Sequence, residues 1–203
     1  QYMPGIAVYL QFDSFEVEAL EELRGADLRS VREKAIAHLN EFKISTTLVV
    51  TLKKGLNDHE IGKIIEYALQ QKCVRGVTFQ PIQAAGRLEQ FEPKRDRYTL
   101  TEVRRSILQQ SPYFKPEDIL PVPCHPDSLA MAYALKLNGK VIPLTGLISP
   151  DAFVQLMPNS VLYEQNEELK SKLFDLFSTS HSPASSATSL KQLLCCLPML
   201  PVP

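Results

Sequence analysis

The chain has 203 residues, of which 44% are hydrophobic and 22% charged, with a formal net charge of −1. These values are typical of a globular protein and give no electrostatic reason to expect nucleic acid or an anionic membrane as a partner. No apolar run approaches the roughly 20 residues that span a bilayer, and no signal peptide is visible. The cysteines include no CxxC pair, so a cytoplasmic location is the default expectation; they are Cys73, Cys124, Cys195 and Cys196.

The first predicted strand covers 6–12, IAVYLQF, and Asp13 ends it. A strand so close to Gln1 favours a chain that starts inside a larger architecture; a cleaved product is the alternative, although no processing signal is visible. The acidic segment 16–24 is predicted to be a loop or a short helix. A helix then follows Asp27 as N-cap, and its expected apolar stripe is Leu28, Val31, Ala35 and Leu39.

The second predicted strand, Thr46–Leu52, is β-branched and apolar, which is typical of a strand buried on both faces. An amphipathic helix follows it and ends near Gln71. Asn57 stands three residues before Glu60, which is the spacing of a capping box. We therefore expect Asn57 and Asp58 to cap this helix.

The third predicted strand covers 74–82, and a polar loop follows it over 83–98. Thr99 and Glu102 repeat the capping-box spacing and predict a third helix. Three successive βα units predict an α/β fold with a parallel sheet, a partial (β/α) barrel. A sheet of three parallel strands leaves open edges, so we expect partner strands from a missing segment or from another copy of the chain.

The composition of the chain changes from residue 112 onward. Residues 112–126 are rich in proline and predict an extended connector, and the Asn138–Gly139 pair predicts a hairpin turn. A last amphipathic helix is predicted over 166–177, and the Ser-rich stretch after it is predicted to be disordered. The expected domains are a half barrel, a C-terminal extension with a hairpin and helices, and a tail, over 1–111, 112–177 and 178–203.

Polar residues occur near the ends of all three predicted strands. They are Gln11 and Asp13 on the first, Thr51 on the second and Gln80 on the third. Ligands of parallel α/β folds bind at the carboxyl ends of the strands, so these residues are candidates for a polar ligand site. The alternative is that they satisfy backbone groups of the loops.

Three other residue types, lysine, cysteine and histidine, could supply functional groups. Adjacent lysines such as Lys53 and Lys54 allow Schiff-base chemistry, because a neighbouring cation lowers a lysine pKa; solvated surface lysines are the alternative. Cys124 and His125 are residue types that bind zinc or iron–sulfur clusters. A buried structural thiol is the alternative for Cys124.

Five segments occur in a fixed order: YLQFDSF, TTLVVTLKKGLNDHEIGKIIEYAL, VRGVTFQPIQAAGR, LPVPCHPD and YALKLNGKVIPLTGLI. Together they resemble the second half of a radical S-adenosylmethionine (SAM) enzyme, over roughly residues 6–148. The closest resemblance is to the branch that includes the archaeal tetraether lipid synthases and their bacterial relatives, which are similar to the molybdenum-cofactor-biosynthesis radical enzymes. The G-x-N-D-x-E turn at 55–60 is one of its markers.

This resemblance implies that the three strands correspond to the fourth, fifth and sixth of a partial (β/α)₆ barrel. It implies that Gln11 and Asp13 contact the ribose and amino acid moiety of SAM. Thr51 and Gln80 would then lie near its adenine and methionine. The intact parent enzyme would hold SAM and a [4Fe–4S] cluster and abstract a hydrogen atom from a C–H bond, with a lipid chain as one candidate substrate.

The chain departs from this family in one large respect. It has no CxxxCxxC motif, and without three thiolates the catalytic [4Fe–4S] cluster cannot be held. We therefore expect a C-terminal portion of a radical SAM enzyme that holds neither cofactor alone and is inactive alone, with Cys124 as a candidate ligand of an auxiliary cluster. The alternatives are a non-catalytic binding or self-association domain derived from that fold, and a barrel lyase that uses Lys53.

Overall fold

The computed structural model describes residues 6–84, 91–122, 125–137, 140–146 and 150. The chain divides into two compact units, Gln1–Pro116 and Glu117–Pro203. The helix predicted over 166–177, the tail and Cys124 lie outside the described residues, so the proposed domain bounds stay a prediction. Among the described residues, no helix combines the length and apolar character that crossing a membrane requires.

The first unit is built on a parallel sheet. Its strands are β1 (Ala7–Gln11), β2 (Ser45–Leu52) and β3 (Val74–Pro81), in the order β1-β2-β3. Each crossover contains helix, which parallel pairing requires. The predicted α/β fold with three parallel strands is confirmed, as expected for a piece of a (β/α) barrel. Within the described residues, β1 and β3 are the outer strands.

Among the described residues of this unit, five helices accompany the sheet. The acidic segment 16–24, for which a loop or a short helix is predicted, contains a helix. Gly25 ends this helix in the left-handed conformation, which glycine adopts without a Cβ penalty. The capping box predicted at Thr99 and Glu102 is confirmed, because each side chain bonds the backbone of the other residue. The helices are α1 (Val17–Arg24), α2 (Arg29–Glu41), α3 (Ile61–Gln70), α4 (Pro93–Asp96) and α5 (Leu100–Gln110).

The core lies on one face of the sheet. Leu48, Val50 and Leu52 project from β2 and are fully buried against the apolar face of α3, which includes Ile61 and Ile64. Burying each such side chain contributes about 1.5–3 kcal/mol. The amphipathic helix predicted after the second strand is therefore confirmed, and it covers this face.

The opposite face of the sheet carries a different set of side chains. In the register, Tyr9 aligns with Thr47 and then with Gly76, while Thr51 aligns with Gln80. Tyr9 is 72% exposed. Within the described residues this face is polar and partly open, in contrast to the apolar face under α3.

The stripe predicted for α2 was partly wrong. Val31 is 61% exposed, whereas Arg32 and Ile36 are the buried residues of the helix. The buried face of α2 differs from the predicted apolar stripe because Arg32 pairs with Asp13, a buried carboxylate just beyond the end of β1. Pairing that charge outweighs the burial of one valine, since an unpaired buried charge is far more costly.

The second unit contains two short antiparallel pairs. Leu120–Pro121 (β4) pairs with Ala130–Met131 (β5), and Ala134–Leu137 (β6) pairs with Lys140–Pro143 (β7). The β6–β7 pair confirms the predicted hairpin, because Leu137 faces Lys140 across the strand ends. The two turn residues between them lie outside the described residues.

Replacement of Gly62 by alanine should destabilise the first unit. A Cβ at Gly62 would lie 2.2 Å from the carbonyl oxygen of Gln110, so α3 and α5 would have to separate. We expect a loss of about 1–3 kcal/mol, the usual cost of overpacking, measured as a shift of the urea midpoint. Gly76→Ala is the control, because its Cβ would meet Thr47 only at 3.8 Å. Equal midpoints for the two variants would contradict the close approach.

Candidate functional site

Asp13 lies just beyond the carboxyl end of β1 and is fully buried. Its backbone has φ of 61°, a left-handed conformation that aspartate tolerates better than most residues. This turn places the Asp13 side chain against the neighbouring carboxyl end of β2. The carboxylate therefore lies inside the edge of the sheet at which ligands of parallel folds bind.

Five donor atoms converge on the two carboxylate oxygens of Asp13. Oδ1 accepts from Gln11 Nε2 at 2.7 Å, from the Thr51 backbone N–H at 2.9 Å and from Arg24 Nη2 at 3.0 Å. Oδ2 accepts from Arg24 Nε at 2.8 Å and from Arg32 Nη2 at 3.1 Å. We call these residues, Gln11, Asp13, Arg24, Arg32 and Thr51, the Asp13 cluster.

The cluster keeps Asp13 ionised despite its burial. Burial alone would raise the pKa of Asp13, but hydrogen bonds from Arg24, the Thr51 backbone and Gln11 outweigh it and hold the pKa below 3.8. The Asp13 hydrogen bond raises the pKa of Arg24, whereas burial lowers the pKa of Arg32. Two guanidinium groups thus surround one carboxylate, and the cluster carries one net positive charge.

Asn57 holds the same loop through side-chain hydrogen bonds and does not form the predicted capping box. Its amide Nδ2 donates to the carbonyl oxygens of Asp13 at 2.9 Å and Thr51 at 2.8 Å, and its Oδ1 accepts from the Lys53 backbone N–H at 2.9 Å. The prediction that Asn57 caps α3 was wrong. A fully buried amide satisfies loop backbone groups here that a cap would leave unpaired.

Glu60 and Asp58 also differ from the predicted caps. The Glu60 carboxylate accepts from the Ser14 hydroxyl and from the Phe15 backbone N–H, so it holds the segment that leads into α1. Asp58 Oδ1 accepts from the Gly55 backbone N–H instead of capping the helix. The turn after β2 is therefore tied to the turn after β1 by Asn57 and Glu60 together.

The structure brings together three of the four predicted cofactor-binding residues. Gln11, Asp13 and Thr51 are joined by hydrogen bonds, with Gln11 Nε2 also 3.2 Å from Thr51 Oγ1. Gln80 aligns with Thr51 in the register and is exposed. Whether these residues bind a cofactor stays a prediction.

The lysines of the turn after β2 form surface ion pairs. Lys53 pairs with Glu22, and Lys54 pairs with Glu102 at 2.8 Å. The side chains of both lysines are more than a third exposed. Exposed pairs of this kind contribute little to stability, and they match the solvated alternative more closely than a buried Schiff-base lysine.

Sequence reasoning missed both arginines of the cluster. Arg24 ends α1, and Arg32 lies one helical turn before Ile36 on the buried face of α2. A signal was available: a strand-end aspartate predicted to be buried needs a cationic partner, and these arginines lie in the helical segments that follow it.

A second group of charged side chains lies beside the cluster. One ligand atom each from Glu16, His59 and Glu60 falls within 4.8 Å of the others, a spacing that could accommodate a metal ion. Both Glu60 oxygens already accept hydrogen bonds from Ser14 and Phe15. His59 Nε2 lies 3.0 Å from Glu16 Oε1, and this hydrogen bond raises the pKa of His59 above 6.5.

Asp13→Asn should destabilise the first unit strongly at neutral pH. The neutral amide leaves the buried guanidinium of Arg32 and the partly exposed one of Arg24 without a counter-charge, and loss of a buried partner costs about 3–5 kcal/mol. The urea midpoint measures the change. Asp27→Asn, which removes an exposed partner of Arg29, is the control and should leave the urea midpoint nearly unchanged. A small change for Asp13→Asn would show that the cluster does not hold the loop.

The Glu16–His59 pair should be visible in a pH titration. Because the folded pKa of His59 is raised, the pair stabilises the fold below pH 6.5 and this contribution is lost as pH rises through the folded pKa. Glu16→Gln should lower the His59 midpoint toward 6.5, measured by the imidazole NMR signal. Glu18→Gln removes a charge from the same helix and should leave the midpoint unchanged; an equal shift in both variants would contradict the pairing.

Comparison with known proteins gives one informative relative. No family model matches the chain. It is 28% identical over 195 residues to the 7,8-dihydro-6-hydroxymethylpterin dimethyltransferase of Methanocaldococcus jannaschii, a radical SAM enzyme. The similarity covers 83% of this chain and 38% of that protein, so the chain spans well under half the length of its relative. It supports kinship with the radical SAM superfamily and no narrower assignment.

Proposed function

We propose that this chain forms the C-terminal portion of the barrel of a radical SAM enzyme and contributes one side of its SAM site. One observation carries the proposal: Gln11, Asp13 and Thr51 meet at the carboxyl ends of two adjacent parallel strands. This is the edge where barrels bind their ligands. The similarity to a radical SAM enzyme over most of the chain is its second support.

The described residues do not fit the catalytic [4Fe–4S] cluster. The sequence has no CxxxCxxC motif, and Cys73 is buried at the amino end of β3, at the end of the sheet opposite to the Asp13 cluster. The three thiolates must therefore come from another part of the parent protein. Cys124 remains a proposed ligand of an auxiliary cluster.

The strand ends do fit part of a SAM site. Thr51 and Gln11 offer polar groups at the half-buried edge, and exposed Gln80 lies beside Thr51. Asp13 holds Gln11 and Thr51, because its Oδ1 accepts from Gln11 Nε2 and from the Thr51 backbone N–H. SAM, where bound beside a reduced cluster, supplies the 5′-deoxyadenosyl radical for hydrogen abstraction from a C–H bond. The substrate is proposed to be a lipid chain or a pterin, the latter because the relative's name specifies one.

The open parts of the sheet fit the proposed partners. Within the described residues, β1 has a free edge; Tyr9 on this strand and Ile6 just before it are exposed. Parallel strands with a bare edge require a neighbour. We propose that the missing half of the barrel, or another copy of the chain, supplies it. A non-catalytic self-association domain is the second candidate, and the same exposed strand favours it.

Anaerobic reconstitution of the 203-residue chain with iron and sulfide tests the proposal. We expect no stoichiometric SAM-cleaving cluster, because the sequence supplies no three-thiolate motif. NMR titration with millimolar SAM should shift the backbone amides of Thr51 and Gln80 in this incomplete site. Cleavage of SAM by the chain alone would contradict the claim of inactivity. Absence of shifts at the strand ends, with stable dimers by light scattering, would favour self-association.

A further inference from the structure

A second buried carboxylate lies beside the Asp13 cluster, and it lacks a basic partner. Glu60 is 2% exposed, and among the described residues no lysine or arginine forms an ion pair with it. Asp13, which is also buried, pairs with two guanidinium groups. Buried charges in proteins are paired or coordinate a metal ion. The contrast therefore indicates that Glu60 is a carboxylate that a bound cation would complete.

The hydrogen bonds of Glu60 orient its carboxylate and leave acceptor capacity free. Its oxygens accept from the Ser14 hydroxyl and from the Phe15 backbone N–H, the latter at 3.2 Å. A carboxylate has about four lone-pair positions, so about two remain. The Ser14 oxygen also accepts from the Glu16 backbone N–H at 2.9 Å. One hydroxyl thus orients Glu60 and the start of α1 together, as the outer hydrogen bonds around metal-binding carboxylates do.

Glu16 and His59 bring two further ligand atoms to Glu60. Their side chains are 46% and 56% exposed, and His59 Nε2 lies 3.0 Å from Glu16 Oε1. One ligand atom from each of the three residues lies within 4.8 Å of the other two. An ion about 2.1 Å from two ligand atoms holds these atoms roughly 3.0–3.4 Å apart. An ion that replaces the proton shared by His59 and Glu16 therefore requires little movement of either side chain.

We propose that Glu16, His59 and Glu60 bind a divalent transition-metal ion, which joins the start of α1 to the turn before α3. One imidazole nitrogen with carboxylate oxygens suits Mn²⁺, Fe²⁺ or Zn²⁺, whereas Mg²⁺ and Ca²⁺ prefer oxygen ligands alone. The ion supplies the charge that Glu60 lacks. It also stabilises the fold, because a ligand bound only by the folded state shifts the unfolding equilibrium. No residue of the Asp13 cluster takes part, so the metal site does not depend on the proposed SAM site.

An acidic surface with one ion pair is the competing explanation. In that case His59 only pairs with Glu16, and cations collect weakly on the carboxylates of α1, which include Glu18, Glu21 and Glu22. Such a surface binds Mn²⁺ and Mg²⁺ alike, and its carboxylates contribute equally. A three-residue site instead requires the imidazole and the Glu16 carboxylate specifically. The two explanations therefore predict different effects of single substitutions.

The test is a Mn²⁺ titration of the full 203-residue chain at about pH 8, where protons compete little for the ligand atoms. We expect substoichiometric Mn²⁺ to broaden the NMR signals of the Phe15 and His59 backbone amides first, and saturating Mn²⁺ to raise the thermal unfolding midpoint. Excess Mg²⁺ should reverse neither effect. His59→Ala and Glu16→Gln should each weaken Mn²⁺ binding about tenfold or more, a loss that even outer hydrogen-bond partners of a metal site cause. Both side chains are exposed, so these variants are expected to fold.

His38→Ala and Glu18→Gln are the matched controls, because both residues are exposed and neither belongs to the group. Each should bind Mn²⁺ as the unaltered chain does. Equal weakening by Glu16→Gln and Glu18→Gln, displacement of Mn²⁺ by Mg²⁺, or broadening that is not concentrated at Phe15 and His59 would overturn the metal site. Binding of Mn²⁺ without a rise in the unfolding midpoint would overturn the stabilising role of the ion.

Discussion

A single buried carboxylate holds the ligand edge of this sheet together. Asp13 accepts hydrogen bonds from β1, from the backbone of β2 and from the last turn of α1. It also pairs with Arg32, a buried residue of α2. Four separate elements therefore meet at one charge. A carboxylate is costly to bury, and this one is tolerated because both of its oxygens accept hydrogen bonds.

The same constraint links the fold to the proposed site. Helices cover one face of the parallel sheet, while the other face carries Tyr9, Thr47 and Thr51 and is partly open within the described residues. The Asp13 cluster lies where this face meets the carboxyl ends of the strands. Donors held rigidly at that place would preorganise the proposed ligand site.

Much of the fold could be predicted from the sequence, because its signals are local. The three strands, the apolar face of α3 and the capping box at Thr99 all depend on residues within a few positions of one another. The left-handed glycine at the end of α1 is a local signal too. These features need only propensity and period.

The errors arose where tertiary contacts outweigh a local signal. Asn57 and Glu60 have capping-box spacing, yet they bond the turn after β1, which is far away in sequence. Val31 was predicted to lie on the apolar stripe of α2, yet it is exposed and the neighbouring Arg32 is buried. Only the position of Asp13 determines these contacts, and that position follows from parallel pairing of β1 with β2.

For the candidate site, strand alternation was enough to find Gln11, Asp13 and Thr51, since all three follow from where the strands end. It could not show that five donors from the protein converge on Asp13. Nor could it show that Arg24 returns from the end of α1 to the same edge. Those facts depend on how α1 packs, and an isolated strand pattern carries no information about it.

Asp13 is thus an ionised, buried carboxylate held by two guanidinium groups. The ¹³C NMR signal of its carboxyl carbon, followed while the pH is lowered, measures this directly. The predicted result is a midpoint below 3.8, with loss of stability as the pH falls through that midpoint, because a lowered folded pKa stabilises the fold above it. A midpoint at or above 3.8 would show that burial outweighs the hydrogen bonds, and would contradict the statement that these bonds lower the pKa of Asp13.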